Sequence, residues 1–312
     1  MKDRRVVVAT RKSELALAQC RAFVAQLAAR FPELELDELQ VVTTGDRIVD
    51  RPLSEVGGKG LFLKEIEEAL LDGSARLAVH SLKDVPPELH PGLAIVCVPE
   101  REDPRDVLIT AEGVTLDELP QGARLGTSSL RRGIQLLERR PDLRVESIRG
   151  NVGTRVRKCL EGVVDATVLA RAGLNRLGAD VRGWTIPIEQ SLPAVGQGAL
   201  GIEVRSDDQE LIDCLRALDH EETRRAVEVE RGVMAAVEGD CKTPVAAYAV
   251  RDGDRVWVRG MLSVPWQPGH VPTSGAPVVR LEERAPWPND VEQAHAIGRQ
   301  LGERLRAALA QS

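Results

Sequence analysis

Three stretches of this chain share one layout: a short strand-like run, a junction of hydroxyl residues or glycine with arginine, and an amphipathic pattern of helical period. The runs are Val6-Val7-Val8-Ala9, Arg124-Leu125-Gly126 and Arg144-Val145-Glu146-Ser147-Ile148. A strand that turns into a helix and returns as a neighbouring strand builds a mainly parallel sheet covered by helices. The first such unit has strands at 4–9, 36–42, 75–80 and 93–98, with helices at 13–30 and 61–71. Residues 43–60, rich in Gly, Asp and Arg without periodicity, read as a mobile loop. The second unit has strands at 124–126, 144–148 and 166–170, with helices at 130–139 and 154–161.

The charged stretch Glu100-Arg101-Glu102-Asp103-Pro104-Arg105 marks the crossover into the second unit, and the Gly/Pro-punctuated 191–199 marks the return. The rest has a different grammar. A helix over 222–237, a hairpin of 246–250 with 255–260 about Asp252-Gly253, and a helix over 291–310 form a small α+β domain. The expected division is 1–99 with 200–217 as a discontinuous α/β domain 1, 100–199 as an arginine-rich α/β domain 2, and 218–312 as an α+β domain 3. A length of 312 residues accommodates it.

Arginine at the start of a helix is unfavourable, because unpaired N–H groups make that end positive. An anionic ligand gripped by a guanidinium fork resolves the conflict, and open α/β sheets bind ligands at the carboxyl ends of their strands. Between residues 124 and 182 thirteen basic residues stand against six acidic ones, although the whole chain carries −6. Aromatics make up 3% of the residues, too few for stacked-base recognition, and the basic residues gather at helix starts rather than along one face. A compact polyanion therefore fits better than nucleic acid.

Lys83 and Asp84 follow the strand ending in His80-Ser81; Asp84 is the only acid expected in this cationic site, and a carboxylate there exchanges protons or stabilises positive charge on a substrate nitrogen. Gly57-Gly58-Lys59-Gly60 lacks phosphate-loop spacing and reads as a hinged lid with Lys59 as an anion contact. Cys241, in Glu238-Gly239-Asp240-Cys241-Lys242-Thr243-Pro244, is the one cysteine on a polar turn, hence a candidate nucleophile or attachment point. Cys20, Cys97, Cys159 and Cys214 lie in helix or strand patterns as inert core thiols. No CxxC pair, metal-ligand spacing or membrane-length apolar run is present, and the apolar Val6-Val7-Val8 is too short to read as a signal peptide. The expectation is a cytoplasmic, metal-free protein with no membrane association.

Read together, these segments resemble the porphobilinogen deaminase (hydroxymethylbilane synthase) family of tetrapyrrole biosynthesis. The resemblance runs through Ala9-Thr10-Arg11-Lys12-Ser13, Val56-Gly57-Gly58-Lys59-Gly60-Leu61-Phe62, Val79-His80-Ser81-Leu82-Lys83-Asp84-Val85-Pro86, and Gly126-Thr127-Ser128-Ser129-Leu130-Arg131-Arg132. It continues in Arg149-Gly150-Asn151-Val152-Gly153-Thr154-Arg155, Leu192-Pro193-Ala194-Val195-Gly196-Gln197-Gly198 and the Cys241 turn, fading after about residue 260.

The resemblance implies two domains like type 2 periplasmic binding proteins and a third carrying the cofactor cysteine. It implies a dipyrromethane cofactor joined by a thioether to Cys241, and head-to-tail condensation of four porphobilinogens with loss of ammonia, ending in hydrolysis to hydroxymethylbilane. Asp84 matches the catalytic aspartate. Arg11, Ser13, Lys83, Ser129, Arg131, Arg132, Arg149, Arg155 and Arg176 match the residues that hold the acetate and propionate groups of cofactor and substrate, in a monomer. The chain departs from the family's usual Gly-Gly-Cys-Gln-x-Pro turn at Asp240 and Lys242, and Glu55 stands where some relatives carry lysine. From the residues alone, a non-catalytic binder of small dicarboxylates and a nucleic-acid-binding module are the competing readings.

Overall fold

The computed structural model describes residues 4–47, 63–237, 243–264 and 272–311. These fall into two compact units, one within Met1–Asp50, Gly58–Glu102 and Ala199–Arg224, the other within Asp103–Gly198 and Arg225–Ser312.

In the first unit, β1 (Arg5–Arg11) runs into helix α1 (Glu14–Arg30), followed by β2 (Glu35–Val41), the short helix α2 (Thr44–Arg47), α3 (Lys64–Leu71), β3 (Leu77–Ser81) and β4 (Leu93–Cys97). Strand β10 (Leu200–Arg205), which is followed by helix α7 (Gln209–Leu215), completes a five-stranded sheet of order β2-β1-β3-β10-β4, antiparallel to both its neighbours while β1 is parallel to β2 and β3. The sheet is covered on both faces. Cys20, Phe23 and Leu27 of α1 pack with Val6, Val8, Leu77 and Ile202, and Ile66 and Leu70 of α3 pack with Ala9, Ala78 and Leu93. Each such fully buried large apolar side chain contributes roughly 1.5–3 kcal/mol. Thr44–Arg47 is a helical turn where a loop was expected: the Glu65 carboxylate accepts from Thr44 N at 2.8 Å. That cap comes from a residue remote in sequence, so no local signal announces it.

The second unit repeats this plan. It contains β5 (Asp106–Ile109), β6 (Arg124–Gly126), α4 (Leu130–Arg139), β7 (Arg144–Glu146), α5 (Val152–Leu160), β8 (Ala166–Ala170), α6 (Arg171–Arg176) and β9 (Gly183–Thr185). The sheet order is β7-β6-β8-β5-β9, with β6 parallel to β7 and β8, and β5 antiparallel to β8 and β9. Each α/β sheet therefore has three parallel strands followed by an inserted antiparallel one. Strands β5 and β9 escape a periodicity reading because they hold only four and three residues.

The same unit holds most of helix α8 (Glu221–Ala236), the three-stranded antiparallel sheet β11 (Val245–Asp252), β12 (Arg255–Ser263) and β13 (Val278–Pro286), and the last helix, here α9 (Val291–Leu309). Strand β13 was not expected, since the charged run Glu282-Glu283-Arg284 and Pro286 obscure its apolar positions. Helices α8 and α9 meet backbone to backbone. A Cβ on Gly298 would stand 1.8 Å from the Val229 carbonyl oxygen, and one on Gly302 2.7 Å from that of Val233. Gly298→Ala should therefore force the helices apart, lowering stability by about 3 kcal/mol in a denaturant titration. Unchanged unfolding would show that the helices separate freely.

Candidate active site

In the first unit the site begins where β1 and β3 end side by side, pointing the same way. Ser13 caps α1: its Oγ accepts from Ala16 N at 3.3 Å, and Thr10 Oγ1 donates to Ala16 O. Arg11, just before this cap, is partly buried. Strand β3 closes in a single 3-10 turn, Leu82–Asp84, in which Leu82 is buried, Lys83 partly so and Asp84 exposed. The turn is held by Leu82 N donating to Ala199 O and Val85 N to Leu82 O. Buried Leu82 and Val85 thus brace a turn that delivers the Asp84 carboxylate outward. Such a carboxylate is free to meet a cation or an N–H donor.

In the second unit the carboxyl ends of β6, β7 and β8 line one edge. Ser129 caps α4, its Oγ accepting from Arg132 N at 3.4 Å, and Asn151 caps α5. Arg131 and Arg132 stand in the first turn of α4, but both are buried and neither lacks a counter-charge. Arg131 Nη1 lies 2.9 Å from Asp106 Oδ2, and Arg132 Nη2 lies 2.8 Å from Asp106 Oδ1. Asp106, an acid not among the expected site residues, therefore stands against both of these arginines. Asp106 opens antiparallel β5 opposite Ala170, the last residue of β8, so the reversed strand brings its first residue to the edge where the parallel strands finish. Burial pushes the Asp106 carboxyl upward, but the two guanidinium groups outweigh it and hold it well below the usual carboxylate range. The Arg131 guanidinium is shifted down, chiefly by burial.

Arg149 and Arg155 are different. Arg155 Nε donates to Gly150 O at 2.8 Å, and the charges acting on Arg155 are Arg132 and Arg149. Burial, then these like charges, bring it down to about 10. Among the described residues neither Arg149 nor Arg155 pairs with an acid. A partly buried guanidinium among like charges is stabilised by an anion that pairs with it. Arg176, at the end of α6, donates to Gly198 O at 2.7 Å.

Lys59 and Cys241 lie outside the described residues. The other cysteines form no disulfide; burial raises Cys97 to about 12 and Cys20 to about 11, so neither is a nucleophile near neutral pH. Among the described residues no helix is long and apolar enough to cross a membrane.

Residues 6–213 match the family model described as "Porphobilinogen deaminase, dipyromethane cofactor binding domain", and residues 224–307 match "Porphobilinogen deaminase, C-terminal domain". The chain belongs to the porphobilinogen deaminase family. It is 54% identical over 302 residues to the porphobilinogen deaminase of Sorangium cellulosum, covering 96% of this chain and 98% of that one. It is 51% identical to the porphobilinogen deaminase of Brevibacillus brevis (83% of this chain, 84% of the relative) and 50% to that of Geobacter sulfurreducens (83% and 81%). Among solved structures, the periplasmic aliphatic sulphonate binding protein SsuA from Escherichia coli is 12% identical with a TM-score of 0.40, covering 75% of this chain and 71% of that one. Strand order, rather than these distant likenesses, defines the α/β class.

Porphobilinogen deaminases are transferases, and the described residues expected from the family's motifs lie at strand ends and helix starts within the two α/β sheets, except Arg176, which ends α6. Asp106 is the participant a motif reading passed over. Its signal is a lone acid opening the apolar Val107-Leu108-Ile109 after a charged crossover. Gln197 is another: its Nε2 donates to Asp106 Oδ1 at 2.9 Å.

Proposed function

We propose that this chain condenses four porphobilinogen molecules head-to-tail, with loss of ammonia, onto a dipyrromethane primer held by a thioether at Cys241, and then hydrolyses the product to release hydroxymethylbilane. The observation that carries the proposal is the pair Arg149 and Arg155, which have no acid partner among the described residues. Each pyrrole of primer and substrate bears an acetate and a propionate, and these carboxylates complement that pair of cations. The dipyrromethane, when bound, supplies the nucleophilic pyrrole carbon to which substrate is joined.

The chain's own residues then have separable tasks. Arg149 and Arg155 take ligand carboxylates directly. Arg131 and Arg132, already sharing Asp106, carry one net positive charge between them and present their remaining N–H groups to a further carboxylate. Ser129 and Arg176 add donors in the second unit, and Arg11, Ser13 and Lys83 in the first. Asp84, exposed on its turn, accepts from pyrrole N–H groups and stabilises the positive charge that grows as ammonia departs. Lys59 contacts anions from the lid.

The organisation behind this reading is three domains: 1–99 with 200–217, 100–199 and 218–312. A monomeric state belongs to the same reading, as does a cytoplasmic location, which is supported by Cys20, Cys97, Cys159 and Cys214 forming no disulfide. So does the absence of a nucleic-acid partner, supported by the scarcity of aromatics.

Intact-mass spectrometry tests it. The purified protein should carry extra mass equal to two porphobilinogens minus two ammonias, and Cys241→Ser should lack it. A bare polypeptide that stays bare after incubation with porphobilinogen would rule the proposal out and leave an anion-binding protein.

A further inference from the structure

The crossing that ends in Leu192-Pro193-Ala194-Val195-Gly196-Gln197-Gly198 binds the arginine site at several points. Leu192 O accepts from Arg131 Nη1 at 2.6 Å, and Gly198 O accepts from Arg176 Nη2 at 2.7 Å. Between them Gln197, 1% exposed, donates from Nε2 to Asp106 Oδ1 at 2.9 Å and to Pro104 O at 2.7 Å. Gly196 and Gly198 have φ of +68° and +90°, a backbone conformation that side chains disfavour. Two left-handed residues flanking Gln197 turn the chain so that its amide points inward. Gly196 N donates to Glu230 Oε2 at 2.7 Å, and Glu230 Oε1 accepts from Ala249 N, which ties the crossing to β11.

We propose that Gln197 is a positioning residue for the arginine pair, holding the Asp106 carboxylate in the plane from which it aims Arg131 and Arg132 at ligand carboxylates. This rests on the reading that those arginines receive ligand. Asp106 Oδ1 accepts from Arg132 Nε at 3.1 Å, Arg132 Nη2 at 2.8 Å and Gln197 Nε2, so one oxygen is fixed by three donors. The guanidinium is a rigid planar fork, and a carboxylate that rotates carries the forks with it. A displacement of about 1 Å at a binding group is enough to cost on the order of a hundredfold. Asp106 from β5 is the charged group bonded to Gln197; Arg131 and Arg132 from α4 hold that carboxylate, while Arg176 from α6 and Glu230 from α8 bond the glycines on either side of Gln197.

Two variants of the full-length enzyme test this. Gln197→Met removes the amide with little change of volume. It should fold, with KM for porphobilinogen raised about tenfold and kcat altered much less, as expected for a lost bond to a charged group. Conversion of apoprotein to the covalent form, followed by intact mass, should slow in parallel. Gln197→Glu has a hydrogen to donate to Asp106 only while protonated; once ionised it repels Asp106. Its KM relative to wild type should therefore be near one at acid pH and climb about tenfold as pH rises through the new carboxyl's titration. Wild-type KM for both variants at every pH, or KM changes that only follow thermal stability, would overturn the proposal. A wild-type protein that assembles no dipyrromethane would overturn the functional reading, and this proposal with it.

Discussion

Asp84→Asn should leave a folded protein that carries its covalent dipyrromethane yet makes bilane about 10²–10⁴ times more slowly, the range for losing a positioned acid–base or charge-stabilising group. The substitution keeps shape and one acceptor oxygen but removes the negative charge. Asp84 is exposed on a turn whose anchors are the buried Leu82 and Val85, so the fold does not depend on its carboxylate. A cationic site needs no acid to bind carboxylates; it needs one where positive charge develops as ammonia departs. Rate of product formation and intact mass, measured on the same preparation, check this. Undiminished turnover would remove Asp84 from the mechanism.

Replacing Arg155 should separate function from stability. Arg155→Met takes a partly buried cation away from Arg132 and Arg149, and burial and those like charges already work against that cation. The cofactor-free protein should consequently melt at the same temperature or higher. Assembly of the primer should fall by on the order of a hundredfold, because truncating one partner of a desolvated charge pair costs about 2–5 kcal/mol. Arg149→Met should act in the same direction, less strongly, since Arg149 lacks the bond that orients Arg155 on Gly150 O. Thermal melting of the apoprotein and the fraction carrying cofactor mass after exposure to porphobilinogen are the two readings. Normal loading with a lowered melting temperature would make Arg155 a structural residue.

Much of this was legible before any coordinates, where the determinants are local. Helix 130–139 and strand 166–170 begin and end where periodicity places them, and Ser13 and Ser129 cap their helices through bonds to the third residue on. Strands β5, β9 and β13 were not legible. The first two are too short to show alternation, and β13 is held by pairing with β12 along its whole length rather than by its own composition. Thr44–Arg47 failed in the same way, being capped by Glu65, 21 positions away.

By itself the sequence determined the family, the α/β class and the placing of arginines at helix starts, because motifs, caps and periodicity are written in neighbouring residues. Only the tertiary structure decided which of those arginines have an acid beside them among the described residues. Arg131 and Arg132 looked the same as Arg149 and Arg155 along the chain. Asp106, 26 positions from Arg132, becomes their counter-ion because an antiparallel strand brings its first residue to the edge where the parallel strands end. A buried charge is governed by what the fold sets within a few ångströms of it, and strand register, not sequence proximity, chose that neighbour.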